Sequence, residues 1–463
     1  MAKKKDEKNK LVYEKKNGWL KMPKKEVAVL EKFNKNYIDF LSKCKTERET
    51  VEFAVAEAKK KGFKEGKGDK FYILNRGKSV CFIVKGKEPI EKGVRIIGSH
   101  IDSPRIDLKQ NPLYEDTELA LFKTHYYGGI KKYQWVTIPL AIHGVIVKEN
   151  GEKVNIVFGE DDKDPVLTIT DILPHLAYKI QMTKKMYEAI PGENLNILVG
   201  SKPIEDKDEK NKIKAAILAL LNKKYGIVEE DFLSAELEIV PAGRARELGI
   251  DGSMILGYGH DDRVCAYTSL QALFDAKKPA YTTIIYFADK EEIGSDGNTG
   301  AKSKFIEDVI LKAIKNEGKE PTYEMLRTVI NNSQGLSSDV NAAVDPTYKS
   351  VNEMNNACKL NYGISLTKYT GSGGKYSAND CHAEFFGKIR AMFNKRGVIW
   401  QTGELGKVDE GGGGTIAKYM AEIGVETLDC GTPVLSMHAP NEVVSKLDVY
   451  ETYKGYLAFI EEK

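Results

Sequence analysis

The chain has 463 residues, more than one hydrophobic core usually covers, so two domains are expected. Hydrophobic residues make up 41% and charged residues 30%, and 70 basic against 67 acidic side chains leave a net charge of only +3. This composition fits a globular protein in water and argues against a dedicated nucleic-acid binder, while no apolar run approaches the roughly 20 residues of a membrane span.

In chain order, residues 1–24 read as a lysine-rich arm, mobile or loosely docked, with no apolar region behind MAKKKDEKNK to make a secretory signal. Residues 25–62 carry two helical patterns: Val27, Leu30, Phe33 and Tyr37 share a face of the first, Val51, Phe53, Ala54 and Ala58 of the second. Strand-like runs at 71–76 and 79–86 flank Gly77, which marks a hairpin turn. Val94 to Ile97 reads as a buried strand that delivers His100 and Asp102. In this H-x-D pattern one ring nitrogen can bind a metal while a carboxylate fixes the proton on the other. Residues 105–250 change texture. Alternating segments such as 136–147 and 153–159, separated by Gly128-Gly129 and Asn150-Gly151, suggest an inserted β-rich domain of about 145 residues. Within it, a helix opens after Pro174, and residues 212–224 form an amphipathic helix ending in Lys223-Lys224.

The core pattern resumes at 254-MILGYGHDDRVCAYTSLQAL-273, where His260, Asp261 and Asp262 precede a helix, so one aspartate can cap it while the other ligates. The stretch 283-TIIYFADKEEIGSDGNTGA-301 organises the rest. Thr283 to Ala288 suits a strand buried on both faces, and it runs into Glu291-Glu292. Paired carboxylates at the carboxyl edge of a sheet repel, and a divalent metal compensates them if one Glu ligates and the other stays free as a base. Helical segments follow at 304–315 and 321–330 (the latter helix or strand), then Asp339 in a polar loop, with a helical turn expected at Asn341–Val344. The glycine-rich loop 363–380 lacks phosphate-loop spacing, because Tyr376 stands where Ser or Thr is required after Gly374-Lys375. A helix over 382–395, a strand at 398–403 and a helix at 415–424 come next. His438 follows a short apolar run, and the closing amphipathic helix is expected to expose Asp448, Tyr450 and Lys454. The cysteines Cys44, Cys81, Cys265, Cys358, Cys381 and Cys430 show no framework spacing and read as reduced thiols of a cytosolic protein, mostly small buried groups.

The sheet-end positions thus offer His100, Asp261, Glu291, Glu292, Asp339 and His438. Two imidazoles, three carboxylates and a spare carboxylate suit two Zn²⁺ ions: one carboxylate bridges, a water between the ions is acidified, and the spare Glu takes its proton. Mn²⁺ or Co²⁺ fits the same donors.

The motifs 99-SHIDSP-104, 261-DDRVCAYTSLQAL-273, 289-DKEEIGSDGNTGA-301, 337-SSDVNAAVDPTY-348 and 435-LSMHAPNE-442 resemble, in order and across nearly the whole chain, the aspartyl aminopeptidase and vacuolar aminopeptidase I family of dinuclear zinc exopeptidases. The resemblance implies one metal held by His100, Asp261 and Asp339 and another by Asp261, Glu292 and His438, with Asp261 bridging. Glu291 is then the general base and Asp102 orients His100. It implies an α/β fold: a mixed-sheet catalytic core with helices on both faces (1–104 and 251–463) and an inserted α+β dimerisation domain (105–250). Departures are Asp262 where the family usually has Asn, and His260 where an apolar residue is usual. In the family a histidine of the insert's P-x-L-A-I-H segment reaches a neighbouring subunit's site to stabilise the oxyanion. Here 174-PHLAYK-179 and 139-PLAIH-143 compete, and His175 is preferred to His143. The resemblance further implies peptide substrates with a free N-terminus and a homo-oligomer, dimers building a tetrahedral dodecamer, with neither nucleic acid nor membrane as partner. Family members differ in preferring acidic or neutral N-terminal residues, and Lys375 is a candidate to pair with an acidic side chain. Two other readings stand beside this one: another dinuclear zinc hydrolase, such as a carboxypeptidase or amidohydrolase, and a catalytically silent shell or scaffold protein.

Overall fold

The computed structural model describes residues 11–463 and has a mixed α/β architecture built on three sheets. The central nine-stranded sheet has the order Lys64–Glu65, Lys70–Asn75, Ser79–Val84, Thr283–Ala288, Arg95–His100, Gln334–Ser337, Glu426–Gly431, Ile364–Thr367, Trp400–Thr402. Its middle four strands run parallel, from Thr283–Ala288 through Arg95–His100 and Gln334–Ser337 to Glu426–Gly431. Their carboxyl ends therefore share one edge.

Every residue of Thr283–Ala288 is buried. Alternate side chains explain why: Ile285 and Phe287 enter the apolar cluster on one face, Ile284, Tyr286 and Ala288 the cluster on the other. Helices Lys24–Lys43, Glu47–Lys60, His260–Asp275, Ala383–Arg396 and Lys446–Ile460 supply the first face; Phe305–Asn316, Tyr323–Asn331 and Ala417–Ile423 supply the second. The hairpin at Gly77 forms as the sequence suggests, with φ +68° at that glycine.

A seven-stranded antiparallel sheet draws all its strands from residues 105–241, in the order Lys153–Phe158, Leu140–Val147, Ala235–Pro241, Arg105–Asp116, Leu119–Tyr127, Ile197–Gly200, Thr168–Ile169. Its apolar cluster is separate from those of the central sheet and includes Ile106, Trp135, Ile146, Ile213 and Ile239. The helix after Pro174 is short, Pro174–Ala177, and passes into a π turn at Tyr178–Met182. The helix Lys212–Tyr225 ends on Gly226 in the left-handed conformation, with Lys223 and Lys224 in its last turn. A small third sheet joins Arg246–Leu248, Met254–Gly257, Glu442–Ser445, Pro433–Leu435 and Asn341–Ala342.

Three expectations are corrected. Asn341–Ala342 is a short strand pairing with Pro433–Leu435, not a helical turn, because the neighbouring strand offers its backbone partners. The closing helix exposes neither Asp448 nor Tyr450: Asp448 is fully buried, and its carboxylate accepts the backbone N–H groups of Asn361 (2.7 Å) and Gly363 (2.6 Å). Of the expected loose arm, residues 1–10 lie outside the described residues, but Gly18 and Trp19 dock on Asn361 through hydrogen bonds of 2.7 and 3.0 Å. The six cysteines are free and buried. Among the described residues no helix is long and apolar enough to cross a membrane.

Candidate metal centre

The shared strand edge carries His100, Glu291, Glu292 and Asp339, and the third sheet brings Asp261 and His438 to it. His100 is the last residue of Arg95–His100. Glu291 and Glu292 open a single 3₁₀ turn just past Thr283–Ala288, entered by Lys290 at φ +64° and left by Gly294 at φ +92°. Asp339 follows Gln334–Ser337, and His438 (φ +65°) stands in the loop between Pro433–Leu435 and Glu442–Ser445. Asp261 sits at the start of His260–Asp275, where Asp261 and Asp262 depart from helical geometry and are joined by a cis peptide bond. Gly259 is required before them: at φ +73°, an added Cβ would lie 1.7 Å from an Arg263 guanidinium nitrogen.

Asp261 is the centre of the cluster. Its Oδ1 is 3.0 Å from His100 Nε2 and its Oδ2 is 3.2 Å from His438 Nε2. His100 Nε2 also lies 3.8 Å from Asp339 Oδ1 and 4.0 Å from Glu291 Oε2, and His438 Nε2 lies 3.4 Å from Glu292 Oε2. Among the described residues three triads bring donor atoms within 4.8 Å of one another: His100–Asp261–Asp339, Asp261–Glu292–His438 and His100–Glu291–Glu292. The first two share Asp261. All of these residues line a cavity of about 460 Å³, with Thr370, Ser377, Lys418 and Met437 on its walls.

The electrostatics ask for cations. Burial, then the charge of Asp261, pushes Glu292 well above the usual carboxylate range, and burial does the same to Asp339. Burial also lifts Glu291 to about 7 and Glu442 to about 8. Burial works to raise Asp261 too, but the hydrogen bonds from His100 and His438 outweigh it and hold that carboxyl below its ordinary value. Burial opposes charge on the histidines, yet their carboxylate neighbours raise His438 to about 10 and His100 well above the ordinary value. One buried oxygen, Glu292 Oε1, has no hydrogen-bond partner. A surplus of buried carboxylates, an orphaned carboxylate oxygen and two imidazoles facing inward form a donor set that fits divalent metal ions.

Asp102 lies beside this cluster. Its main-chain oxygen is 3.0 Å and its Oδ1 3.4 Å from His100 Nδ1, and its two carboxylate oxygens accept the backbone N–H groups of Glu291 (3.1 Å) and Glu292 (3.2 Å). Asp262 caps nothing in its own helix; it accepts the His100 backbone N–H at 3.2 Å. Three expected residues stand apart from the cavity. His143 is buried between Glu49 (2.7 Å) and Glu160 (3.0 Å), so both its ring nitrogens are engaged. His175 is exposed on the short helix Pro174–Ala177 and is not among the cavity's lining residues. Lys375 pairs with Asp380 at 2.9 Å above the Tyr369 ring and lines a smaller neighbouring cavity.

Sequence reasoning missed Glu442, whose carboxylate accepts the backbone N–H groups of Asp261 (3.0 Å) and His438 (2.7 Å) and so ties two cluster residues together. It also missed Tyr127, whose hydroxyl donates to Asp102 at 2.8 Å. Glu442 lies four residues past His438, close enough to be suspected; nothing local marks Tyr127.

Comparison with known proteins identifies the family. The family model for the aminopeptidase I zinc metalloprotease (M18) matches residues 40–460. A probable M18 family aminopeptidase 1 from Clostridium acetobutylicum is 51% identical over 463 residues, covering 98% of this chain and 99% of the relative. The crystal structure of an M18 aminopeptidase from Thermotoga maritima superposes with a TM-score of 0.93 at 46% identity, covering 98% and 100% of the two chains. The S. cerevisiae mApe1 dodecamer shares the fold at 23% identity, with a TM-score of 0.73 and coverage of 93% and 96%.

Proposed function

The chain belongs to the aminopeptidase I zinc metalloprotease family (M18) and is a metallo-aminopeptidase, a hydrolase of peptide bonds, and from that premise we propose how its own residues carry the reaction. His100, Asp261 and Asp339 would hold one divalent cation, and Asp261, Glu292 and His438 would hold a second. When bound, the two ions, zinc or else Mn²⁺ or Co²⁺, polarise the scissile carbonyl and acidify the attacking water. Glu291 is the general base: its Oε2 takes the water's proton and returns it to the leaving amine. Burial lifts this carboxyl in the metal-free chain, and bound cations would draw it back toward the ionised form that accepts a proton. Asp102 orients His100 and, through the two backbone N–H groups, the turn that carries Glu291 and Glu292. The observation that carries this reading is Asp261, which turns one carboxylate oxygen to each histidine at 3.0 and 3.2 Å.

Residues 105–250 form, in this reading, an inserted domain for pairing with a second copy. In support, Leu176, Tyr178, Met182, Met186 and Tyr187 are each more than 60% exposed, a large apolar surface to leave in water. His175 stands in the same stretch, where a second copy would carry it to the neighbouring site as an oxyanion donor. The dodecamer of the yeast relative makes a dodecamer the assembly to look for, and light scattering at monomer mass in native buffer would reject it. Buried free thiols suit a cytoplasmic setting.

The test is metal content together with cleavage of an aminoacyl-p-nitroanilide panel by wild type and Glu291→Gln. Two metals per chain are expected in both, with kcat lower in the variant by about 10²–10⁴-fold. Equal activity in the variant rejects Glu291 as base. Cleavage of N-blocked peptides points instead to a carboxypeptidase or amidohydrolase, and neither metal nor turnover to a scaffold.

A further inference from the structure

Tyr127 closes the strand Leu119–Tyr127 of the seven-stranded sheet, Gly128 and Gly129 follow it, and the three lie against Asp102, Glu292 and His438. The Tyr127 hydroxyl donates to Asp102 Oδ2 at 2.8 Å, the same oxygen that accepts the Glu292 N–H. A phenol donating to a carboxylate makes a charge-assisted hydrogen bond, and it takes one of the acceptor sites that the two backbone N–H groups leave open. The ring of Tyr127 is itself fixed, because the buried Arg105 guanidinium stacks on it at 3.9 Å. Arg105 is anchored in turn by Asp107 at 2.8 Å and by Glu238 of Ala235–Pro241 at 3.2 Å.

The glycines approach from the other side. The Gly129 carbonyl lies 3.1 Å from His438 Nδ1, so it accepts that proton and leaves Nε2 facing Asp261 and Glu292. A Cβ on Gly129 would stand 3.3 Å from His438 Nδ1; one on Gly128, at φ +74°, would stand 3.3 Å from Glu292 Cβ. Only glycine lets the backbone come this close without moving those side chains. The histidines of both halves are thus fixed in one tautomer by a backbone carbonyl, His100 by Asp102 and His438 by Gly129.

We propose that Tyr127-Gly128-Gly129 is a positioning strap by which the seven-stranded layer sets the geometry of the metal centre, with Tyr127 the positioning residue for Asp102. The inference rests on the two-metal reading above. A merely structural tyrosine would lower stability and nothing else; a positioning one changes how the folded chain holds metal and turns over.

The experiment measures Zn²⁺ affinity, by competition with a chromophoric chelator, beside kcat and KM for wild type, Tyr127→Phe, Asp102→Asn and the double variant. Tyr127→Phe keeps every carbon of the ring, so Arg105 keeps its stacking partner. Zn²⁺ affinity and kcat are expected to fall about 10–100-fold with KM within about twofold. The double variant should lose no more than Asp102→Asn alone, because the hydroxyl acts through that carboxylate. If wild type binds Zn²⁺ and cleaves while Tyr127→Phe matches it in affinity and kcat, or if the two losses simply add, the strap is overturned and the two-metal reading survives. Wild type that binds no Zn²⁺ overturns both.

Discussion

Two buried histidine–carboxylate clusters lie in this molecule, and they differ in charge balance. At the junction of the seven-stranded sheet with the helix Glu47–Lys60, His143 bridges Glu49 and Glu160, and the Lys45 ammonium reaches Glu160. Two carboxylates there meet two basic groups. At the strand edge, His100 and His438 face Asp261, Glu291, Glu292 and Asp339, and among the described residues those four carboxylates have only histidines as ion-pair partners. Asp102 and Glu442 add two more carboxylates beside these, each accepting a backbone N–H of the cluster. The first cluster neutralises itself and needs nothing further; the second has a surplus of negative charge in a buried place, which only bound cations or protons relieve. Histidine beside carboxylate is therefore no mark of a metal site. The uncompensated surplus is.

Removing metal should separate the clusters most. The chelated chain is expected to lose all activity and, at the edge cluster, stability that bound metal supplies, about 2.7 kcal/mol for an ion present at a hundred times its Kd. That loss should be larger at pH 8 than at pH 6. Glu291 and Glu442, held up to about 7 and 8 in the folded chain, are near 4.3 when unfolded, so their protonated forms favour the fold at low pH. The benefit is complete below about pH 4 and disappears as pH rises through 7 and 8. The raised histidines add to it with the same sign. Adding Zn²⁺ back should release protons into weak buffer. Calorimetry with and without chelator at the two pH values checks this, and a larger drop at pH 6 would contradict the surplus.

The paired variants His143→Ala and His175→Ala sharpen the contrast. His143→Ala strands two carboxylates with Lys45 alone, and should cost about 3 kcal/mol while the folded fraction keeps its kcat. Burial opposes the His143 charge, but Glu160 and Glu49 raise its pKa; burial opposes theirs, but His143 lowers both. The carboxylates stabilise above about pH 4.3 and lose this as pH falls, and the histidine stabilises below about 6.5 and loses this as pH rises past its raised value. The cost should therefore peak between those limits, as urea midpoints at pH 3.5, 5.5 and 8.5 would reveal. His175→Ala is expected to do the reverse, losing turnover with zinc and stability kept. Turnover lost instead in His143→Ala, with zinc retained, would break the comparison.

The smallest effect is expected at Lys375, which belongs to neither cluster. Its surface pair with Asp380 contributes about 0–1 kcal/mol, so Lys375→Ala should leave stability within about 0.5 kcal/mol. Its kcat/KM for acidic and neutral N-terminal residues should change alike. A selective loss on acidic substrates would mean that the 371–380 loop swings its lysine into the cavity.

The sequence reading reached furthest where a single stretch carries the information. The β-branched, aromatic and apolar run Thr283–Ala288 announces a strand buried on both faces, and the turn of charge that follows announces a sheet edge. His100, Glu291 and Asp339 follow parallel strands of the central sheet, whose alignment brings them to one edge, while Asp261 and His438 follow strands of the small third sheet. The closing helix misled for the opposite reason. Asp448 has a polar side chain, and its partners, the N–H groups of Asn361 and Gly363, lie over 80 residues away. Likewise 139-PLAIH-143 has the right letters, but Glu49, 94 residues distant, holds its histidine.

Sequence by itself thus determined the candidate ligands and the doubly buried strand, because periodicity and order along the chain are local quantities, and its motifs carried the resemblance to the family. Only the tertiary structure decided which carboxylates are compensated. It also separated His143 from the centre and delivered Tyr127, Gly129 and Glu442 to it. Charge balance in a buried place is a sum over neighbours that chain order does not specify, and a hydrogen bond across 309 residues, such as His438 to Gly129, leaves no periodic trace.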